Sequence, residues 1–267
     1  MLLAGVFFSI MNVSVKYISH LPAIEIIFFR SLFSFIFTFA ILKKKSIPLF
    51  GNNKKLLILR GVAGSIGLIS FFYTLQNIPL ASAVTIQYLS PIFTTVLGIV
   101  IVKEKVKPLQ FLYFGIAFAG VLMIEGFDPR ISPWWLAVGI ISALFSGLAY
   151  NIIRKLNVSE HPLVIVFYFP LVTLPIVGLI SIFAWVPPQG WDWAILLGIG
   201  IFTQFAQYFM TMAYQNAQLS KIASLNYIGI VYALGFGFLL FDETYDLLIY
   251  LGMMMVLAGV ILNLRNK

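Results

Sequence analysis

The chain has 267 residues, of which 61% are apolar and 10% charged, with a net charge of +8 and no cysteine; soluble domains run to about 45–50% apolar and 25% charged. That excess cannot be hidden inside a water-soluble fold, and the missing cysteines exclude disulfides and thiolate metal sites. The positive charge falls at helix ends facing one side, so it reads as membrane topology rather than as a nucleic-acid footprint.

Apolar blocks of about 18 to 23 residues recur along the chain, the length that crosses a ~30 Å hydrocarbon core at 1.5 Å per residue. The predicted fold class is an all-α integral membrane protein of ten transmembrane helices. The spans are 1–19, 22–42, 55–76, 80–102, 107–124, 134–153, 162–184, 191–213, 219–241 and 246–264. A transmembrane barrel would need shorter segments alternating apolar and polar, and none is present. The first span has no basic stretch before it and no small-residue cleavage site after it, so it is expected to be structural and not a removable signal.

With the N-terminus placed inside, Lys43, Lys44, Lys45, Lys54, Lys55, Lys103, Lys105, Lys107, Arg154, Lys155, Lys221, Arg265 and Lys267 lie at the inner face, and Arg130 alone lies in an outer loop. This bias predicts cytoplasmic N- and C-termini in a multi-pass protein of the cytoplasmic membrane. Trp134, Trp135, Trp185, Trp191 and Trp193 flank the two outer loops, as rings at a headgroup layer do.

Sliding the chain on itself by 139 residues reveals an internal repeat. Gln76 and Asn77 meet Gln215 and Asn216, Leu80 meets Leu219, Tyr88 meets Tyr227, Gly98 meets Gly237, and Glu104 meets Glu243. Asn12 falls on Asn151, Lys16 on Lys155, and the run Ala-Gly-Val at 119–121 on its twin at 258–260. Two modules follow, 1–124 and 134–267, joined by an outer linker at 125–133. Because five spans is an odd number, the second module enters the membrane from the opposite side, which is an inverted-topology pair built for alternating access.

The strings "FFRSL", "ILRG", "YTLQNIPLASAVTIQYLSPIF", "VKEKV" and "QFLYFGIAFAGVLMI" resemble the first module of the EamA branch of the drug/metabolite transporter superfamily. "AYQNAQLSKIASLNYIGIVY", "FDETY" and "LIYLGMMMVLAGVIL" resemble its second. The resemblance implies two inverted EamA modules around a central substrate cavity, and substrates of the amino acid, nucleoside, vitamin, S-adenosylmethionine or drug type. The halves have diverged: Ile230 stands where the first has Pro91, Tyr113 where the second has Gly252, and Pro170 where the first has Arg30. A fused, diverged pair is expected to work as a monomer.

Within the spans lie Lys16, Glu25, Arg30 and Arg60, each costly in hydrocarbon unless it faces protein or water. Arg30 reads as a substrate or gate contact, or as a structural partner of Glu25 or of carbonyls on a neighbouring helix. Lys16 shares a helix face with Asn12 and is expected at the cavity mouth, or snorkelling to the interface. Arg60, five residues past Lys55, is expected to anchor the inner interface. Glu104 and Glu243 are expected to cap the final helix of each module, leaving no proton-relay acid at mid-depth.

Uncharged polar groups are the richer candidates. Gln87 and Tyr88 meet Asn226 and Tyr227 across the repeat, beside Pro91 and Gly229. With Tyr73, Tyr150, Asn151, Gln204, Gln207 and Tyr208 they are expected as a cluster to wall a substrate site, although each taken alone is better explained as interhelical glue. Gly61, Gly64, Gly67, Gly198 and Gly200 are expected at helix–helix contacts. His20 and His161 sit in helix-joining loops, so neither an active site nor a cofactor or metal site is expected. The function predicted is a secondary transporter of a small organic solute, with a multidrug exporter of the same fold as the alternative, and a channel or membrane scaffold behind both. The three cations against one acid within the spans lean toward anionic or zwitterionic substrates.

Overall fold

In the computed structural model residues 2–101, 103, 108–156, 159–183, 185–216 and 228–265 are described. They form α1 (Leu2–Tyr17), α2 (Ala23–Lys44), α3 (Lys54–Asn77), α4 (Leu80–Gln87), α5 (Ser90–Ile101), α6 (Pro108–Phe127), α7 (Pro133–Leu156), α8 (Pro162–Ser181), α9 (Asp192–Asn216), α10 (Ile228–Phe241) and α11 (Leu247–Arg265), and no strand occurs among the described residues. Six helical stretches are long and apolar enough to cross a membrane: α2, α3, α4 with α5, α7, α8 and α9. The remaining predicted spans contain the shorter apolar helices of α1, α6, α10 and α11. Residues 217–227, with which the ninth predicted span begins, lie outside the described residues.

Local chemistry sets the starts. Pro108, Pro133 and Pro162 each open a helix, where a fixed φ helps and the missing N–H costs nothing. The Asn53 side chain accepts from Leu56 N at 3.2 Å and caps α3. Large apolar side chains point outward, with Phe183 90%, Val100 79% and Leu239 72% exposed, which suits a surface solvated by lipid.

Helices pair closely: α6 with α11, α3 with α7, α1 with α9 and α2 with α8. Along α6 and α11 the backbones touch. A Cβ at Gly120 would stand 2.6 Å from the Gly252 carbonyl oxygen, and one at Gly259 2.6 Å from that of Tyr113. Among the expected contact glycines, Gly61 meets Val172, Gly67 meets Ser146 and Gly200 meets Phe33. Gly198 corrects the expectation: among the described residues it faces only Phe202 of its own helix.

The predicted span 80–102 is broken. Tyr88 N bonds back to Val84 and Thr85 carbonyls, Leu89 N to that of Ile86, and the helix restarts at Ser90 with Pro91, which has no N–H to continue the ladder. The break turns Tyr88 into the bundle.

Polar contacts lace both ends. At the tryptophan-bearing end His20 meets Asp192 at 3.1 Å, Gln76 Nε2 donates to Leu21 O, Glu25 accepts from Val186 N, and Arg130 donates to Thr244 O. At the lysine-bearing end Glu160 Oε1 accepts from the N–H groups of Asn52 and Asn53 at 2.7 and 2.5 Å, and the Tyr168 hydroxyl donates to Phe50 O.

Candidate functional site

A cavity of about 180 Å³ lies inside the bundle. That is several times the ~30 Å³ a water takes in the liquid, and it suits a compact metabolite better than a drug-sized ligand. Its wall is drawn from α1 to α5 and from α7 to α9. Buried in such a place, polar groups must be paired with each other or with a ligand.

Six of the candidate residues line it: Asn12, Arg30, Gln87, Tyr88, Tyr150 and Gln207. Asn12 is 9% exposed, and its Oδ1 has no hydrogen-bond partner among the described residues. Arg30 Nε donates to Thr203 Oγ1 at 3.0 Å, and its guanidinium lies over the rings of Phe72 and Phe169. Gln87 spans α4 to α7, donating to Ser146 Oγ and accepting from Ser142 Oγ. The Tyr88 hydroxyl occupies the space that a side chain at Gly229 would fill. Gln207 Oε1 accepts from Arg60 Nη2 at 3.3 Å.

Others lie outside the cavity wall. Lys16 reaches away from it to the Glu243 carboxylate at 2.8 Å and donates to Ile78 O at 2.8 Å, because the lysine stem is long enough to leave the Asn12 face for a charge partner. Asn151 bonds the carbonyls of Thr94 and Gly147, tying α7 to α5. Gln204 accepts from Ser34 and Thr38 at 2.7 and 3.0 Å, tying α9 to α2. Tyr73 and Tyr208 are half-buried against the two apolar clusters. Asn226 and Tyr227 lie outside the described residues, as does Glu104.

Two expectations about charge are corrected. Arg60 is no interface anchor: it is 2% exposed, lines the cavity and stacks on Phe169 at 4.3 Å, with Nε and Nη1 unpaired among the described residues. Glu25 is not the partner of Arg30, since its Oε2 accepts from Val186 N at 2.9 Å. The sequence did carry a signal for Arg60. Arg60, Gly64, Gly67, Leu68 and Phe71 all line the cavity, at the 3-4-7 spacing of one helix face. Gly64 makes room there, because a Cβ on it would meet Arg60 Nη1 at 2.7 Å.

Glu243 does cap a helix, but not the one that follows it. Both its oxygens accept from Leu80 N, at 2.8 and 2.9 Å, so the second half caps α4 of the first. Tyr245 donates to the same carboxylate at 2.5 Å, and burial with this neighbouring charge pushes its phenol well above the ordinary range.

Compared with known proteins, the chain is 31% identical to the pseudopaline exporter CntI of Pseudomonas aeruginosa, over 99% of this chain and 94% of that one. It is 32% identical to an uncharacterized transporter of Helicobacter pylori over 98% of this chain and 92% of that one. A protein of known crystal structure shares its fold, with a TM-score of 0.69 over 97% of this chain and 94% of that one at 15% identity. The pattern of the EamA-like transporter family fits residues 1–126 and again residues 133–265, so the chain belongs to that family, as its motifs indicated.

Proposed function

We propose that the protein is a secondary carrier that moves a small organic metabolite across the cytoplasmic membrane by alternating access. In this reading modules 1–124 and 134–267 are inverted copies joined at 125–133, with both termini cytoplasmic, and a single chain completes the site. The observation that carries it is the cavity itself: a largely apolar hollow carrying buried polar side chains and walled by helices of both halves, with Asn12 and Arg30 from one and Tyr150 and Gln207 from the other.

The helix pairing supports the inversion. Moving each helix by the 139-residue offset exchanges the α3–α7 pair with the α1–α9 pair and returns α6–α11 and α2–α8 to themselves, as a two-fold axis requires. The close glycines behave alike: Gly120 abuts the backbone at Gly252 and Val256, and Gly259 abuts it at Tyr113 and Ala117, the same positions one module apart. The contact of the loops before α3 and α8 at the lysine-bearing end supports the predicted orientation. Two near-equivalent packings of such a pair would open the same cavity to either side in turn.

Reconstitution tests the proposal. Purified protein in proteoliposomes, loaded with one solute of a metabolite panel, is expected to show saturable uptake of the labelled solute stimulated by the unlabelled one inside. Flux that is neither saturable nor accelerated by counter-solute would point to a channel and remove the carrier reading.

A further inference from the structure

Two cations face this cavity with no acid among the described residues to match them. Arg30 and Arg60 are each 2% exposed, and both guanidinium groups lie against one ring, that of Phe169, at 5.4 and 4.3 Å from its centroid. Their protein partners are sparse and neutral. Arg30 bonds the Thr203 hydroxyl through Nε, and Arg60 bonds the Gln207 amide oxygen through Nη2, while Arg60 Nε and Nη1 have no partner among the described residues.

The described carboxylates are engaged elsewhere. Glu25 holds Val186 N, Asp128 holds Arg130, Glu160 holds Asn52 and Asn53, Asp192 meets His20, and Glu243 holds Lys16 and Leu80. Asp242 and Asp246 are exposed in the loop before α11. A buried pair of like charges that no described carboxylate neutralises is retained against a heavy desolvation cost, and an anionic solute in the cavity would supply its counter-charge.

We propose that the transported solute is an organic carboxylate, its anionic group gripped between Arg30 and Arg60 and its apolar body laid against Phe8, Met11 and Phe71. This rests on the carrier reading and adds the substrate class to it. The guanidinium group is chosen for such work because its planar fork of donors matches a carboxylate two bonds at a time, and stacking on an aromatic face holds the fork in place. Phe169 supplies that face to both arginines, and Gly64 clears the space in which the Arg60 fork stands. Asn12 Oδ1, an acceptor without a partner among the described residues, takes a hydroxyl or amino hydrogen on the body of the solute.

The test uses the full chain in detergent and in proteoliposomes, with a panel of aliphatic, aromatic and amino-substituted carboxylic acids, each beside its primary amide and the corresponding amine. Carboxylates are expected to raise the melting temperature and to exchange in counterflow, with amides and amines at least tenfold weaker. In Arg60→Gln and Arg30→Gln the carboxylate affinity is expected to fall at least tenfold, and Arg60→Lys to recover only part of it, because the charge returns without the fork. Amides or amines binding as well as acids would overturn the proposal while leaving the carrier reading intact, since counterflow of those solutes would still be seen. Unchanged carboxylate affinity in Arg60→Gln, with the variant folded by size exclusion, would overturn it too. Failure of every solute to bind or exchange would end both readings.

Discussion

Lys16 on α1 and Glu243 in the loop before α11 form an ion pair at 2.8 Å, joining the first helix of the chain to the entrance of the last. The same carboxylate caps α4 through Leu80 N and accepts from Tyr245, so three elements meet at one side chain that is 7% exposed. Lys16 returns the tie by donating to Ile78 O at the end of α3.

Such a knot ties helix ends together at the tryptophan-bearing end of the bundle, and Glu243→Gln is the cleanest way to loosen it. Glutamine keeps an oxygen for Leu80 N and removes the charge that Lys16 needs. A loss of about 1–3 kcal/mol is expected, as for a charged hydrogen bond broken in a mostly buried place, and thermal melting in detergent reads it. Because the chain has no cysteine, an Asn12→Cys reporter can be added to either background. Faster labelling by an impermeant maleimide in the Glu243→Gln background is expected if the knot seals the cavity, and equal rates would show that it does not.

Arg60 separates a binding group from a structural one by the sign of its effect on stability. A structural arginine would cost several kcal/mol on removal, as breaking a buried pair does. Here Nε and Nη1 are unpaired, so Arg60→Gln removes a buried charge that the described residues leave uncompensated. The ligand-free variant is expected to melt at or above the wild-type temperature, by up to about 1–2 kcal/mol, while solute binding is lost. This is the exchange of stability for function that active sites commonly show.

Much of this was legible beforehand, for particular reasons. Span length and apolar content locate helices such as α2, α3 and α7 to within a few residues, because hydrocarbon thickness dictates both. The Gln87-Tyr88 dipeptide stood out through its repeat, and both residues line the cavity. What could not be read was direction. Asn151 and Gln204 have the same chemistry as Gln207, yet they point at Thr94 and at Ser34 and Thr38 in neighbouring helices, a choice that depends on helix rotation. Distance along the helix axis from Lys55 misplaces Arg60, because the long side chain of an arginine on the inward face carries its charge away from the depth of its Cα. For Glu243 the sequence shows the capping chemistry but not the helix, since capping a distant segment leaves no trace in local spacing.

Gly64 offers a finer probe of the same cavity. Gly64→Ala places a methyl group where Arg60 Nη1 stands 2.7 Å and Phe169 2.9 Å away, so the guanidinium and its ring must both shift. In a helix interior alanine gains roughly 0.5–1 kcal/mol over glycine, which offsets part of the crowding, and expression and folding are expected to survive. Solute affinity is expected to drop about tenfold, the scale of one well-placed hydrogen bond to a charged group. Isothermal titration or melting shifts with a carboxylate ligand would register this, and an unaltered affinity would show that the position of the Arg60 fork is not critical.

Acid is expected to act on the loop before α8, outside the long apolar helices. His161 precedes α8, and its Nδ1 accepts from Leu163 N at 3.2 Å, which only an unprotonated nitrogen can do. Partial desolvation of this otherwise exposed ring, with Lys45 adding like-charge repulsion, lowers its pKa from the ordinary histidine value. The folded state thus binds this proton less readily than the unfolded state. Stability from this residue is therefore complete above the ordinary value near 6.5 and declines as the pH falls from there toward the lowered folded value, below which no further loss accrues. Melting temperatures between about pH 7.5 and 5 should show this decline, superimposed on whatever the rest of the protein contributes. His161→Asn supplies a side-chain acceptor that does not titrate in this range and keeps a strong N-cap. The variant is expected to match the wild type at pH 7.5 and to exceed it at pH 5, and parallel curves for the two proteins would assign the acid sensitivity to another group.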